Sequence, residues 1–442
     1  MKFRLPTLKR LAGDTGLESP FAWLPNFCAV GSIFLLGGCQ LADVAQFSYA
    51  NATATHQWVG DARSTTLHFD LIDDHIVLPV RINDSEPLNF VLDSGAAATV
   101  ILESRGTRTL PLEMAGEVPV SGVGNGPDPR AFFVKDADLS IGSVRLEGLS
   151  AVYLPLSSVP FFENLDEVYF DGVIGAPFFE RFAIAIDYDR QLISFSESGD
   201  VAGRPHRGSQ GWQELPLQVE SGLPYLVTQI GIGPDQSAEV KLLVDTGYRG
   251  PVSLTPDTHS EIAAPLEYFS SVSQGLSGDV QSRVTMSEYL KVGDFQLEGL
   301  PVSYSISGGE SDDGSNGLLG NEALSRFNLV FDYPNKRLFV KPNERFAEPI
   351  SADRSGLLIR PHAQGAVVKS IASDSAGARL ELRVADIIAS IDDEPVTYAN
   401  ISKLKRVLAS DREIVPICWL SGDQPRCGEL ALASRFDQRE GR

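Results

Sequence analysis

The chain repeats itself, and that constrains its fold more than any other feature. Leu139-Ser-Ile-Gly142-Ser-Val-Arg-Leu146-Glu147-Gly148-Leu149 matches Leu290-Lys-Val-Gly293-Asp-Phe-Gln-Leu297-Glu298-Gly299-Leu300 at an offset of 151. Gly172-Val-Ile-Gly175 with Arg181-Phe182 and Asp187-Tyr188 matches Gly317-Leu-Leu-Gly320 with Arg326-Phe327 and Asp332-Tyr333 at an offset of 145. Upstream of both, Phe90-Val-Leu-Asp93-Ser94-Gly95 matches Leu242-Leu243-Val244-Asp245-Thr246-Gly247, with the aspartates 152 apart. Three blocks in one order, with small changes in loop length, mark a duplicated unit. The short alternating runs between Gly, Pro, Asn and Asp clusters predict strands.

In each repeat an aspartate ends an apolar strand, and a hydroxyl residue and a glycine follow it. The strand can then turn tightly with its carboxylate pointing out of the sheet. Two such ends facing each other would pair Asp93 with Asp245. At about 3 Å two full charges repel by roughly 5 kcal/mol at an effective dielectric near 20, so the pair would hold one proton in common.

An Asp-Ser/Thr-Gly triplet alone is often an ordinary turn or helix cap. Here each is followed by two apolar residues and a glycine, Val173-Ile174-Gly175 and Leu318-Leu319-Gly320. Together the elements resemble the aspartic proteases of the retropepsin and pepsin kind. The resemblance implies a mainly β architecture of two tandem lobes, 63–208 and 209–346, forming one bilobal unit. It also implies a hydrophobic-hydrophobic-glycine strand behind each catalytic loop, with Asp93 and Asp245 catalytic. Ser94 and Thr246 would bond across the twofold axis, and Gly95 and Gly247 would leave backbone close to the carboxylates. Tyr248 departs from the small residue usual after the second glycine; it either narrows a pocket or packs in its lobe. Glycine-rich turns, Gly122-Val-Gly124-Asn-Gly126 and Gly275-Leu-Ser-Gly278, read either as plain hairpin turns or as two flaps over bound peptide. Neither has an adjacent tyrosine, which favours the two-flap, retropepsin-like form.

Beyond Pro342 the composition changes. Gly356-Leu357-Leu358-Ile359 opens a strand, a second follows at 365–371, and short helices are predicted near 375–380 and over 401–408. This order resembles a bacterial PDZ domain, an α+β unit over 355–434, which implies capture of peptide termini beside Gly356 to Ile359. Ala385 stands where that family usually has glycine. Cys418 and Cys427 flank a predicted hairpin turn at Gly422-Asp423 and would face each other, so a cross-strand disulfide is possible in an exported chain.

Export is suggested by residues 1–39: early basic residues, an apolar run from Phe27 to Leu36 too short to span a bilayer, then Leu36-Gly-Gly-Cys39. The last four resemble a lipobox. That implies lipidation of Cys39 and, with Gln40 following, an outer-membrane lipoprotein facing the periplasm; the alternatives are a plain signal peptide or a misplaced start. Residues 40–62 read as a tether.

The formal net charge of −21 repels phosphate backbones and argues against a nucleic-acid partner. Scattered histidines and cysteines offer no metal-ligand pattern, and neither a metal nor another cofactor is expected. The sequence thus points to a monomeric, membrane-anchored aspartic endopeptidase acting on polypeptides. The alternative is an inactive peptide-binding scaffold working through its PDZ domain. A serine protease ranks last, because no Gly-x-Ser-x-Gly stretch occurs.

Overall fold

The computed structural model describes residues 34–159, 162, 168–198, 211–233, 235–309, 314–373 and 375–436. Residues 1–33 of the export segment lie outside them, and so does the side chain of Cys39. Among the described residues the fold is mainly β, in four sheets. A nine-stranded sheet belongs to the first repeat and a ten-stranded sheet to the second. A six-stranded sheet is shared between the repeats.

The shared sheet shows how the duplication is used. Phe182–Asp187 pairs antiparallel with Phe327–Asp332, placing Ala185 opposite Val330. Those two residues are equivalents at the repeat offset of 145, so a pseudo-twofold axis passes between them. Each repeat extends the sheet outward, through Leu192–Glu197 and Ser64–His68 on one side and Arg337–Pro342 and Gln213–Pro216 on the other. Phe182, Phe195, Phe327 and Phe331 are fully buried, and one apolar core runs through both repeats. The lobes therefore cannot separate without exposing that core, at roughly 1.5–3 kcal/mol per large apolar side chain.

The stretch expected as a tether is ordered against the first repeat. Phe34–Thr53 is a helix, and Thr55–Trp58 pairs with Val144–Leu154. Phe47 is buried, its ring 5.0 Å from that of Phe133. The Asn51 side chain accepts the Ser150 N–H at 3.0 Å, and Arg181 donates to the Asn51 and Ala54 carbonyls. Among its described side chains, Val44 and Phe47 pack on the apolar core of the first repeat.

Residues 357–431 build a separate sheet ordered Leu357–His362, Gly365–Ile371, Ile387–Ile391, Ile414–Ser421, Gln424–Ala431. Its own core contains Ile359, Val368, Leu404 and Trp419. Helices occupy Ala376–Arg379, capped by Ser375, and Ile401–Leu408. Leu357–His362 is an edge strand, paired on one side by Gly365–Ile371. Ala385 adopts φ 75°, the left-handed region that a glycine would occupy without strain. Cys418 and Cys427 are cross-strand neighbours joined by a disulfide.

Candidate active site

Leu88–Leu92 carries the first loop and Gln236–Asp245 the second. Gly172–Ile174 runs parallel beside the first, with Ile174 level with Leu92 and its carbonyl accepting the Asp93 N–H at 3.0 Å. Gly317–Gly320 lies parallel beside the second, with Gly320 level with Asp245. A Cβ on Gly175 would sit 2.3 Å from the Ala98 carbonyl oxygen and 2.5 Å from that of Ala96. This is why the apolar pair in that strand must be followed by glycine.

The loops interlock. The Ser94 N–H donates to Thr246 Oγ1 at 3.0 Å, and the Thr246 N–H donates to Ser94 Oγ at 3.0 Å. In return Ser94 Oγ donates to the Val244 carbonyl at 2.7 Å and Thr246 Oγ1 to the Leu92 carbonyl at 2.9 Å. All four bonds cross the twofold axis between fully buried hydroxyl residues. Within each loop a carboxylate oxygen is fixed by backbone: Gly95 N–H to Asp93 Oδ1 at 2.8 Å, and Gly247 N–H to Asp245 Oδ1 at 2.9 Å, joined by the Tyr248 N–H at 3.0 Å.

This frame brings the aspartates together, each 1% exposed, with the charge of Asp245 felt at Asp93. A Cβ on Gly95 would lie 2.5 Å from Asp245 Cγ, and one on Gly247 2.3 Å from Asp93 Cγ. The carboxylates can meet because each faces bare backbone in the opposite loop. Burial, with the charge of Asp245 adding to it, pushes the Asp93 carboxyl up to about 7. One proton therefore stays on the pair across the acid range.

Both glycine-rich turns reach over this floor and touch each other. The Ser277 N–H donates to the Val123 carbonyl at 3.0 Å, and the Gly126 N–H to the Ser277 carbonyl at 2.6 Å. The Gly122 N–H donates to Ser277 Oγ at 3.2 Å. Gly124 and Gly278 hold φ values of 141° and 116°. Gly275 packs on the Val123 carbonyl, where a Cβ would clash at 2.1 Å. Leu276, at the second tip, is buried.

No motif singled out the residues beside the second loop. Asp73 and Asp74 form a two-residue hairpin turn with φ 53° and 63°, and His75 follows on the strand His75–Ile82. His75 Nε2–H donates to the Gly247 carbonyl at 3.0 Å, and the Tyr169 hydroxyl donates to His75 Nδ1. Burial, reinforced by Arg249, holds the imidazole down at about 3, so this bridge is neutral. Asp73 is fully buried and pairs with Arg249 and Lys405. Burial alone would raise its carboxyl, but these cations hold it well below the usual carboxylate range. Tyr248 packs against the cluster of Leu223, Tyr225, Leu243 and Leu318 and also lines the cavity beside Asp245, so both sequence readings of it describe part of its place.

That cavity, about 850 Å³, runs from Asp245 and Gly247 past Tyr248 and Leu276 to Leu357, Leu358 and Ile359. Gly356, at the start of the edge strand, has φ 71° and donates its N–H to Asp353 Oδ2 at 2.7 Å. Among the described residues no three His, Cys, Asp or Glu side chains cluster as metal ligands.

An interlocked pair of Asp-Ser/Thr-Gly loops at the centre of a duplicated β unit is an aspartic-protease-like arrangement. Residues 78–178, which include Asp93 and the Gly172–Gly175 strand, match the model of the aspartyl protease family. The crystal structure of an aspartic proteinase from Irpex lacteus is similar with a TM-score of 0.40 and 12% identity, covering 64% of this chain and 99% of that one. No curated protein matches the chain.

Proposed function

We propose that the chain is an aspartic endopeptidase that hydrolyses peptide bonds with a water held between Asp93 and Asp245. The observation that carries this reading is the buried pair of carboxylates, each seated against the glycine of the other's loop. The ionised member takes a proton from the water, which attacks the peptide carbonyl. The protonated member polarises the carbonyl oxygen, and the leaving amine then receives a proton. No covalent intermediate forms. Ser94 and Thr246 hold the geometry, and the turns at 122–126 and 275–278 act as flaps that part to admit a polypeptide and close to exclude water.

Residues 355–434 act in this reading as a PDZ-like unit that takes an extended peptide alongside Leu357–His362, whose outer edge pairs with no other strand among the described residues. Leu36-Gly-Gly-Cys39 supports lipidation of Cys39 and anchoring to the outer membrane, facing the periplasm. Phe47 lies eight residues beyond Cys39 and is buried against the first repeat, so the anchor would hold the protease close to the bilayer. No described helix is long and apolar enough to cross a membrane.

The test is cleavage of an unfolded protein by the full chain, with and without pepstatin, alongside Asp93→Asn and Asp245→Asn. Cleavage abolished by either substitution is expected. Cleavage that survives both removes the mechanism, while peptide binding without any cleavage by the unaltered chain leaves a scaffold acting through its third unit.

A further inference from the structure

The two repeats carry equivalent sheet faces finished with opposite chemistry. Val152 and Leu154 correspond to Ser303 and Ser305 at the repeat offset of 151. Strand register carries the equivalence to the neighbours. Val100 pairs with Val152, and Ser253 with Ser303. On the other side Phe133 pairs with Val152 and Val284 with Ser303, so Ala131, two residues before Phe133, corresponds to Ser282, two before Val284. Ala131 in turn pairs with Val118, and Ser282 with Ser271. Cross-strand partners and residues two apart share a face. Five positions on four adjacent strands are therefore apolar in the first repeat and serine in the second.

In the first repeat this face is closed. Its five apolar residues are buried in one cluster with Phe47, Phe162 and Phe170. In the second repeat all five serines line the cavity of about 850 Å³ that begins at Asp245. Ser253 and Ser305 share a hydroxyl hydrogen bond at 3.1 Å. Ser282 is only 8% exposed, and its hydroxyl lines the cavity without a hydrogen-bond partner among the described residues. A buried hydroxyl without a partner is costly, and the first repeat shows that the same face packs well with apolar side chains. Packing therefore does not account for the serines, whereas a bound hydrogen-bonding group does. Charged residues such as Arg249, Glu322, Arg345, Glu348, Lys405 and Arg406 line the same cavity, but none comes from these four strands. The face adjoins the site: Val252–Leu254 begins seven residues beyond Asp245, and Phe269–Gly275 and Gly278–Met286 meet at the second glycine-rich turn.

We propose that Ser253, Ser271, Ser282, Ser303 and Ser305 form a specificity pocket for an uncharged hydrogen-bonding side chain, the amide of Asn or Gln, close to the bond placed at Asp93 and Asp245. This rests on the endopeptidase reading and narrows it to a substrate class. An amide offers two donors and an acceptor to hydroxyls that each donate and accept, and its short stem lies over Tyr248 and Leu318 on the same cavity. An apolar side chain would strand the hydroxyls, and a carboxylate would lose water without meeting a cation from these strands. The equivalent face of the first repeat is filled by the protein's own phenylalanines, so this selection operates on one side of the cleaved bond.

The experiment digests a mixture of unfolded proteins with the full chain and maps every cut by mass spectrometry. Asn and Gln should be enriched at one position on one side of the cut bond, about ten-fold or more over Leu and over Glu. Ser271→Val with Ser303→Val, which copies Val118 and Val152 of the first repeat, should move the preference at that position to apolar residues, and Ser303→Thr should keep it. The profile of the unaltered chain decides even where the double variant fails to fold: a flat profile, or one led by apolar or acidic residues, overturns the pocket while leaving the endopeptidase standing. If the unaltered chain cuts nothing, the endopeptidase reading fails and binding decides the pocket. Fluorescent decapeptides of one unstructured sequence, with Gln, Leu or Glu at the central positions, are then compared by anisotropy. About ten-fold tighter binding of the Gln peptide keeps the pocket; equal affinities, or no measurable binding by any, overturn it.

Discussion

Replacing Thr246 by Val tests whether the loop interlock holds the two aspartates in place. The substitution conserves shape but removes one acceptor and one donor in a fully buried position. It strands the Ser94 N–H, now 3.0 Å from Thr246 Oγ1, and removes the donor that reaches the Leu92 carbonyl at 2.9 Å. A buried polar group left without its partner costs about 1–3 kcal/mol, so the two together should cost roughly 2–6 kcal/mol. Urea unfolding of the lobes at pH 6 reads the loss as a lowered midpoint at unchanged slope. Ser94→Ala should behave similarly, and the double variant should lose less than the sum, because the first change already loosens the seat that the second disturbs. Thr246→Ser keeps the hydroxyl and should retain most stability and cleavage. A loss below about 0.5 kcal/mol for Thr246→Val, with cleavage intact, would refute the idea that these bonds fix the catalytic geometry.

Three further substitutions probe other parts of the structure. Gly175→Ala should lower both stability and cleavage, since its Cβ would press on the Ala96 and Ala98 carbonyls and shift the first loop; a cost of about 1–3 kcal/mol is expected by chemical denaturation. Asp93→Asn should stabilise the fold with a pH-dependent increment. The folded-state carboxyl is raised from 3.8 to about 7, so the native chain loses stability relative to the variant as pH rises from about 4 to 7, and the difference holds constant above. The increment should approach roughly 4 kcal/mol at pH 8 and vanish near pH 3.5, read as paired urea curves. Removing the Cys418–Cys427 bridge with serines should cost the third unit about 2–3 kcal/mol from the short loop it closes, seen as a lower thermal midpoint that reductant does not change further.

The two Asp-Ser/Thr-Gly loops were legible because each is written locally. A strand, an aspartate, a hydroxyl and a glycine stand in sequence, with the apolar pair and glycine of the supporting strand at a regular distance. The pairing of Ala185 with Val330 was implicit in the duplication but invisible in either repeat, since strand order is a property of how the copies meet. Cys418 and Cys427 could be matched because a hairpin sets their register.

The charged junction was not legible. Asp73 pairs with Arg249 across 176 positions, and Lys405 joins from a third segment, so no spacing rule connects them. Asp73-Asp74 does form a two-residue turn, yet it lacks the glycine that makes such turns easy to read, and His75 after it looked like any scattered histidine. The helix at 34–53 was missed for another reason: its order comes from packing of Phe47 and from bonds to Asn51 and Ala54, not from a strong apolar period.

The most direct measurement is the pH dependence of kcat/KM for cleavage of an unfolded protein between pH 3 and 9. With one proton held on the Asp93–Asp245 pair, the rate should fall as pH rises through about 7, with a slope of one proton, as Asp93 loses the hydrogen it must donate. A rate that stays level from pH 5 to 9, in a chain whose Asp93→Asn variant is equally active, would contradict the claim that these two acids share a proton to break peptide bonds.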